Sequence, residues 1–87
     1  MILKSNNLAK LIRTRRQELN LSQAEVHNYM GWKIINTQYL SNIECGKCQL
    51  PAKHINKISS TLHLSRESLI ESMVQDYKEA LIKQIGQ

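Results

Sequence analysis

Residues 21–47 read LSQAEVHNYMGWKIINTQYLSNIECGK, and this stretch decides the fold. Ser22-Gln23-Ala24-Glu25 has the pattern of a capping box, in which a Ser hydroxyl accepts the N–H three residues on and a Glu carboxylate reaches back. The helix it opens runs through Val26, Tyr29 and Met30 and stops at Gly31, a residue that turns left-handed at little cost. A second short helix is expected with Asn36 as N-cap, Thr37 to Cys45 helical, Leu40 and Ile43 facing inward, and Gly46 as the stop. Between them lie Trp32, Lys33, Ile34 and Ile35, and a start at Lys33 would lengthen the second helix by a turn.

Reading outward gives three more helical segments. One precedes the pair from about Asn7 to Glu18, with Leu8, Leu11, Ile12 and Leu19 on one stripe. Pro51 suits the first position of a fourth helix, where its missing N–H costs nothing, and Ile55, Ile58 and Leu62 point that helix inward. Leu64 reads as a buried loop residue and Ser65 as the cap of a long last helix. There Leu69, Ile70, Met73, Val74, Tyr77, Leu81 and Ile85 keep a 3–4 spacing until Gly86. Three Gly, one Pro and no Phe in 87 residues leave few breakers and few strong strand-formers, so the expected class is all-α.

Two charges interrupt the inward stripes. Arg16 follows Ile12 by four residues and Glu44 follows Leu40 by four. An unpaired buried charge is costly, so the economical solution is an ion pair joining the first and third helices.

Length and charge bound the function. A chain of 87 residues makes one domain with a thin core and seldom builds the deep, water-excluding cleft an enzyme needs. Residues 1–64 carry nine Lys/Arg against three Glu, or +6; residues 65–87 carry three against four acids, or −1. A basic body followed by a near-neutral tail points to a polyanion partner and a tail with another task. No apolar run approaches the ~20 residues of a membrane span. The start Met1-Ile2-Leu3-Lys4 lacks the features of a signal peptide, so a cytoplasmic protein with reduced cysteines is expected.

The same segments, in this order, resemble the helix-turn-helix family of phage repressors and Cro proteins, the XRE family. The residues that carry the resemblance are Leu11-Ile12-Arg13 with Arg16, then Leu21-Ser22-Gln23-Ala24-Glu25-Val26 and Met30-Gly31. Leu40-Ser41-Asn42-Ile43-Glu44-Cys45-Gly46-Lys47, Pro51 to Ile58, Leu62-His63-Leu64-Ser65 and Leu69-Ile70 complete it, so it covers about residues 7–70. The resemblance implies a five-helix, lambda-repressor-like domain that binds a two-fold double-stranded DNA operator as a dimer. Its buried Arg–Glu pair falls on Arg16 and Glu44, and its base-reading positions fall on Thr37, Gln38, Ser41 and Asn42.

The chemistry suits that assignment. Gln and Asn form bidentate bonds to adenine, a Thr methyl touches thymine, and Ser serves either polarity. None of the four is charged, so a strongly guanine-reading helix is not expected. By the same resemblance Gln23 reaches a phosphate at the start of the second helix, and Lys33, Lys47 and Lys53 are further phosphate candidates. This chain departs from the family twice. The turn is three residues longer than usual, and His27 stands where a small residue is expected against the third helix. A larger side chain and a longer turn would compensate each other by spacing the helices apart. Trp32 then serves as a plug beneath the turn.

Other chemistry has little support. Cys45-Gly46-Lys47-Cys48 with His54 and His63 has four zinc-type ligands, but the two histidines fall about 13 Å apart along one helix at 1.5 Å per residue. Neither a metal nor any other cofactor is expected, and the cysteines read as ordinary thiols, with a redox switch as the less favoured reading. No phosphate loop, His-x-x-x-His pair or nucleophile–base spacing appears, so no catalytic residue is assigned. The surplus apolar face of the last helix (Ile70, Met73, Tyr77 and Leu81) reads as a homodimer surface on residues 65–87, following the DNA-binding body of residues 1–64. The expected function is a dimeric transcriptional repressor of phage or mobile-element type. The competing reading is an antitoxin-like module whose main partner is a toxin or other protein.

Overall fold

Four of the helices stop on a left-handed residue, and this repeated stop sets the path of the chain. The computed structural model describes residues 6–86; the Met1-Ile2-Leu3-Lys4 start read above lies outside the described residues. The helices are α1 (Asn6–Glu18), α2 (Gln23–Met30), α3 (Gln38–Glu44), α4 (Ile55–Leu62) and α5 (Arg66–Ile85), with no strand among the described residues. The left-handed stops are Asn20 (φ 56°), Gly31 (φ 76°), Gly46 (φ 75°) and His63 (φ 52°). Each stop is sealed by a backbone bond spanning five residues: Leu21 N–H to Arg16 O, Trp32 N–H to His27 O, Lys47 N–H to Asn42 O and Leu64 N–H to Ser59 O. These are Schellman closures, which satisfy carbonyls that a helix end would otherwise leave open. Three of the closing residues, Leu21, Trp32 and Leu64, then pack half-buried against the core. Gly31 and Gly46 are the breakers the pattern needs; Asn20 and His63 do the same work with a side chain, which composition does not announce.

The capping box is present as expected: Glu25 N–H donates to Ser22 Oγ at 3.0 Å and Ser22 N–H to Glu25 Oε1 at 2.9 Å. The start of α3 differs from expectation by one residue. Asn36 Oδ1 does accept the Gln38 N–H, at 2.9 Å, but the Leu40 N–H goes to the ring of His27. The helical ladder therefore opens with Ser41 N–H on Thr37 O, and Thr37 flanks the helix while Cys45 follows its end. A start at Lys33 does not occur. Pro51 is also displaced from the position expected: it is extended (ψ 146°) and precedes a 3₁₀ turn, Ala52–His54, that tightens the entry to α4. The missing Pro N–H is harmless in either place. Ser65 caps α5 by accepting the Ser68 N–H at 3.1 Å.

The core is one cluster: Leu8 and Ile12 of α1, Val26 and Met30 of α2, Leu40 and Ile43 of α3, Leu50 from the loop, Ile58 and Leu62 of α4, and Leu69 of α5. Leu50 is a core member that no periodicity marks. Leu64, expected to be buried, is only half-buried against this core. Leu69 turns into the core, on the same side of α5 as half-buried Met73 and buried Asp76. Helix α1 is central, packing on α3, α4 and α5, while α2 packs on α3 and α4.

A buried carboxylate fastens α5 to the start of α1. Asp76 is 4% exposed, and its oxygens accept the backbone N–H groups of Asn7 (2.7 Å) and Leu8 (3.2 Å) together with the Asn7 side-chain amide (2.9 Å). The first turn of α1 contains no acidic residue, so its free N–H groups and positive dipole end are served from 68 or 69 residues away. Arg15 makes the reciprocal contact at a C-terminal end, donating from Nε to Leu62 O at 2.9 Å. Replacing Asp76 by Ala strands two backbone donors, and we expect a loss of about 1–3 kcal/mol in urea unfolding. Asp76→Asn keeps one acceptor and is expected to lose less than the Ala variant.

Candidate nucleic-acid interface

Glu44 sits at the last turn of α3 with its side chain 3% exposed, and everything on the outer face of that helix is referred to it. Arg16 of α1 donates to it twice, Nε to Oε2 at 2.6 Å and Nη2 to Oε1 at 3.0 Å. The third arm of the guanidinium, Nη1, reaches the Leu21 carbonyl at 2.9 Å in the turn before α2. Gln23 of α2 completes the cluster by donating to Glu44 Oε1 at 3.2 Å. A planar guanidinium meeting a carboxylate through two parallel bonds is the strong, orientation-fixing form of such a pair. The two stripe-breaking charges thus meet, and they lock α1, α2 and α3 together at one point. No buried side-chain nitrogen or oxygen among the described residues lacks a partner.

With that lock on its inner side, α3 presents Gln38, Ser41 and Asn42 outward, with Thr37 at its entry. Gln38 is exposed and the other three are half-buried. Gln38 Nε2 donates to Asn42 Oδ1 at 2.8 Å, one helical turn away. This bond fixes the orientation of the Gln38 amide. It leaves free the Gln38 carbonyl oxygen, one Gln38 amide hydrogen and the whole Asn42 amide nitrogen. An acceptor beside a donor is the pattern that matches the N6/N7 edge of adenine.

The residues expected at phosphates divide into two groups. Lys33, Lys47 and Lys53 are exposed. Gln23 is turned inward: its nitrogen serves Glu44, and its oxygen lies 3.5 Å from the Thr37 hydroxyl. It therefore ties α2 to α3 before it can serve any ligand, with one amide hydrogen left over.

The long turn is held by His27, which is 1% exposed. Its Nδ1 lies 2.7 Å from the Lys33 carbonyl and its Nε2 receives the Leu40 N–H at 3.2 Å. One ring thus needs the proton on Nδ1 and a lone pair on Nε2, and it spans from the turn to the first turn of α3. His27 and the long turn are thus joined by hydrogen bonds. Trp32 packs edge-on against His27, Tyr39 and His54, with centroid separations of 5.2, 4.7 and 5.3 Å. It is half-buried on the core beneath the turn. His54 is occupied in this ring cluster, and burial pushes the Cys48 thiol up from its ordinary value, which disfavours a reactive thiolate.

The outer face of α5 is apolar and open. Ile70, Val74, Tyr77, Ile82 and Ile85 are each about half exposed or more, with Leu81 at 39% and Met73 half-buried. Ile55 joins Ile70, Met73, Val74 and Tyr77 around a shallow groove. No helix among the described residues is long and apolar enough to cross a membrane.

No protein-family model and no curated protein matches this chain. Solved structures do. The restriction-modification controller protein C.AhdI from Aeromonas hydrophila superposes with a TM-score of 0.65 at 20% identity, over 75% of this chain and 94% of its own. The clp gene regulator ClgR from Corynebacterium glutamicum superposes with a TM-score of 0.66 at 18% identity, over 94% of this chain and 85% of its own. At such identities the likeness is one of fold: this all-α chain of five helices shares the helix-turn-helix fold of both. Since the Glu44 cluster holds three helices of that fold together, Arg16→Ala should destabilise the protein by about 3–5 kcal/mol, leaving a buried carboxylate unmatched. Thermal melting reads the effect directly; an unchanged melting temperature would show that the pair contributes nothing.

Proposed function

We propose that this chain is a sequence-specific double-stranded DNA-binding transcriptional regulator, a cytoplasmic repressor that acts as a homodimer on a two-fold operator. The observation that carries the proposal is the pre-oriented Gln38–Asn42 pair on the outer face of a helix locked from behind by Arg16 and Glu44. The fold shared with two proteins named as a controller and a gene regulator supports it. So does the +6 charge of residues 1–64.

In this reading α3 enters the major groove with its N-terminal half. Gln38 and Asn42 bond to adenine edges, the Thr37 methyl meets thymine, and Ser41 bonds to either polarity. Lys33, Lys47 and Lys53 contact phosphates and set the register, with the remaining Gln23 hydrogen beside them. Occupancy of an operator overlapping a promoter would exclude polymerase. No catalytic step, metal or cofactor enters.

The dimer part rests on the open α5 face. Two copies meeting through Ile70, Met73, Tyr77 and Leu81 would cover side chains that one copy leaves in water. A toxin or other protein seated on the same face is the competing partner. Cutting α5 before Asp76 would remove the cap on α1 along with the open face, so substitutions on the outer face are the cleaner test.

Two measurements check the proposal. Selection of bound DNA from a random pool should yield a palindromic consensus, and Gln38→Ala should lose preference at one base pair per half-site by about 1–3 kcal/mol while the rest is retained. An unaltered consensus for the variant rules out Gln38 as a reader. Separately, Tyr77→Asp with Leu81→Asp should sediment as a folded monomer and bind the operator weakly. A variant that stays dimeric puts the contact elsewhere.

A further inference from the structure

The turn from α2 to α3 carries two β-branched apolar side chains in the open, Ile34 at 56% and Ile35 at 98% exposure. The segment is anchored on both sides. Before the pair, the Lys33 carbonyl is bound to His27 at 2.7 Å; after it, Asn36 Oδ1 holds the Gln38 N–H at 2.9 Å. Trp32, wedged among three rings, fixes the start of the turn. The backbone that carries the bare isoleucine is therefore held on both sides, three residues ahead of Gln38 in the chain.

We propose that Ile35 is a second sequence-reading element, which recognises thymine through the C5-methyl group at the edge of the half-site read by Gln38. The proposal rests on the DNA-binding reading above and extends it to a residue outside α3. Among base edges in the major groove, only thymine offers an apolar group, so an exposed aliphatic side chain just ahead of the reading helix has one natural counterpart there. Charge favours DNA over a protein as the occupant. Lys33 lies on one side of the pair, polar Asn36, Thr37 and Gln38 on the other, and no acidic residue falls between Glu25 and Glu44.

The test uses the full-length protein and the operator obtained by selection. Each thymine of the half-site is replaced in turn by deoxyuridine, which removes only the methyl group. The native protein should lose about threefold to fivefold in affinity at one thymine flanking the base pair read by Gln38. Ile35→Ala should show that same loss on the unmodified operator and no further loss at that deoxyuridine, because the two changes delete one contact. Ile35 is almost fully exposed, so its replacement is expected to leave the fold intact, and circular dichroism of the variant checks this. Equal deoxyuridine sensitivity in both proteins at every position overturns the inference. So does a change of oligomeric state in Ile35→Ala with deoxyuridine sensitivity unchanged, which would assign the turn to a protein contact. A pool that yields no consensus overturns the DNA-binding reading and this one with it; a clear consensus without an Ile35-coupled thymine overturns this one alone.

Discussion

The carboxylate of Glu44 is the point on which the geometry of the outer surface depends. It belongs to α3, yet its partners are Arg16 on α1 and Gln23 on α2, and the same guanidinium also holds the turn between those helices. Van der Waals packing alone lets short helices slide and roll over one another at small cost. A bidentate ion pair sealed from water does not, because any displacement separates charges that have no solvent to replace their partner. Seven residues make a helix too short to persist by itself. Its orientation is imposed by what its last turn grips, and the side chains one or two turns earlier inherit that orientation.

The other end of α3 is controlled differently. A turn as long as the one between α2 and α3 would leave α3 loosely tethered at its start; here the imidazole of His27 takes up the slack. It accepts an N–H that the helix itself leaves open and binds a carbonyl of the turn, so one residue of α2 substitutes for the missing tightness of the connection. Ion pair at one end, imidazole at the other: α3 is pinned twice to α2 and once to α1. The surface between the pins is polar, with Gln38 exposed and already hydrogen-bonded to Asn42.

Much of this was legible in the sequence. The capping box, the glycine stops, the inward stripes and the meeting of Arg16 with Glu44 follow from spacing and from the cost of burying charge, and these are local or nearly local arguments. What was not legible is the set of contacts that spacing cannot express. Asp76 looks like one more acid in a charged helix, and only the folded chain brings it to the first turn of α1. Leu50 lies in no periodic segment, yet it is part of the core. Asn20 and His63 stop helices as glycine would, without glycine's signature. His27 could be flagged as too large for its place, but its hydrogen bonds depend on where the long turn settles. The base-facing assignments come from resemblance and chemistry, and geometry adds the Gln38–Asn42 bond to them.

Asp76 has a consequence for how such a protein would respond to its own abundance. Helix α5 serves its own chain along one side, through Leu69 and Asp76, while its opposite side stands open. A single copy can therefore complete its tertiary structure before it meets another, and pairing is a separate equilibrium between finished molecules. On the dimeric reading, the amount of active species at low abundance rises with the square of the number of copies made. An operon silenced by its own product in this way would stay open while few copies exist and close over a narrow range of expression, a threshold set by the strength of one helix face.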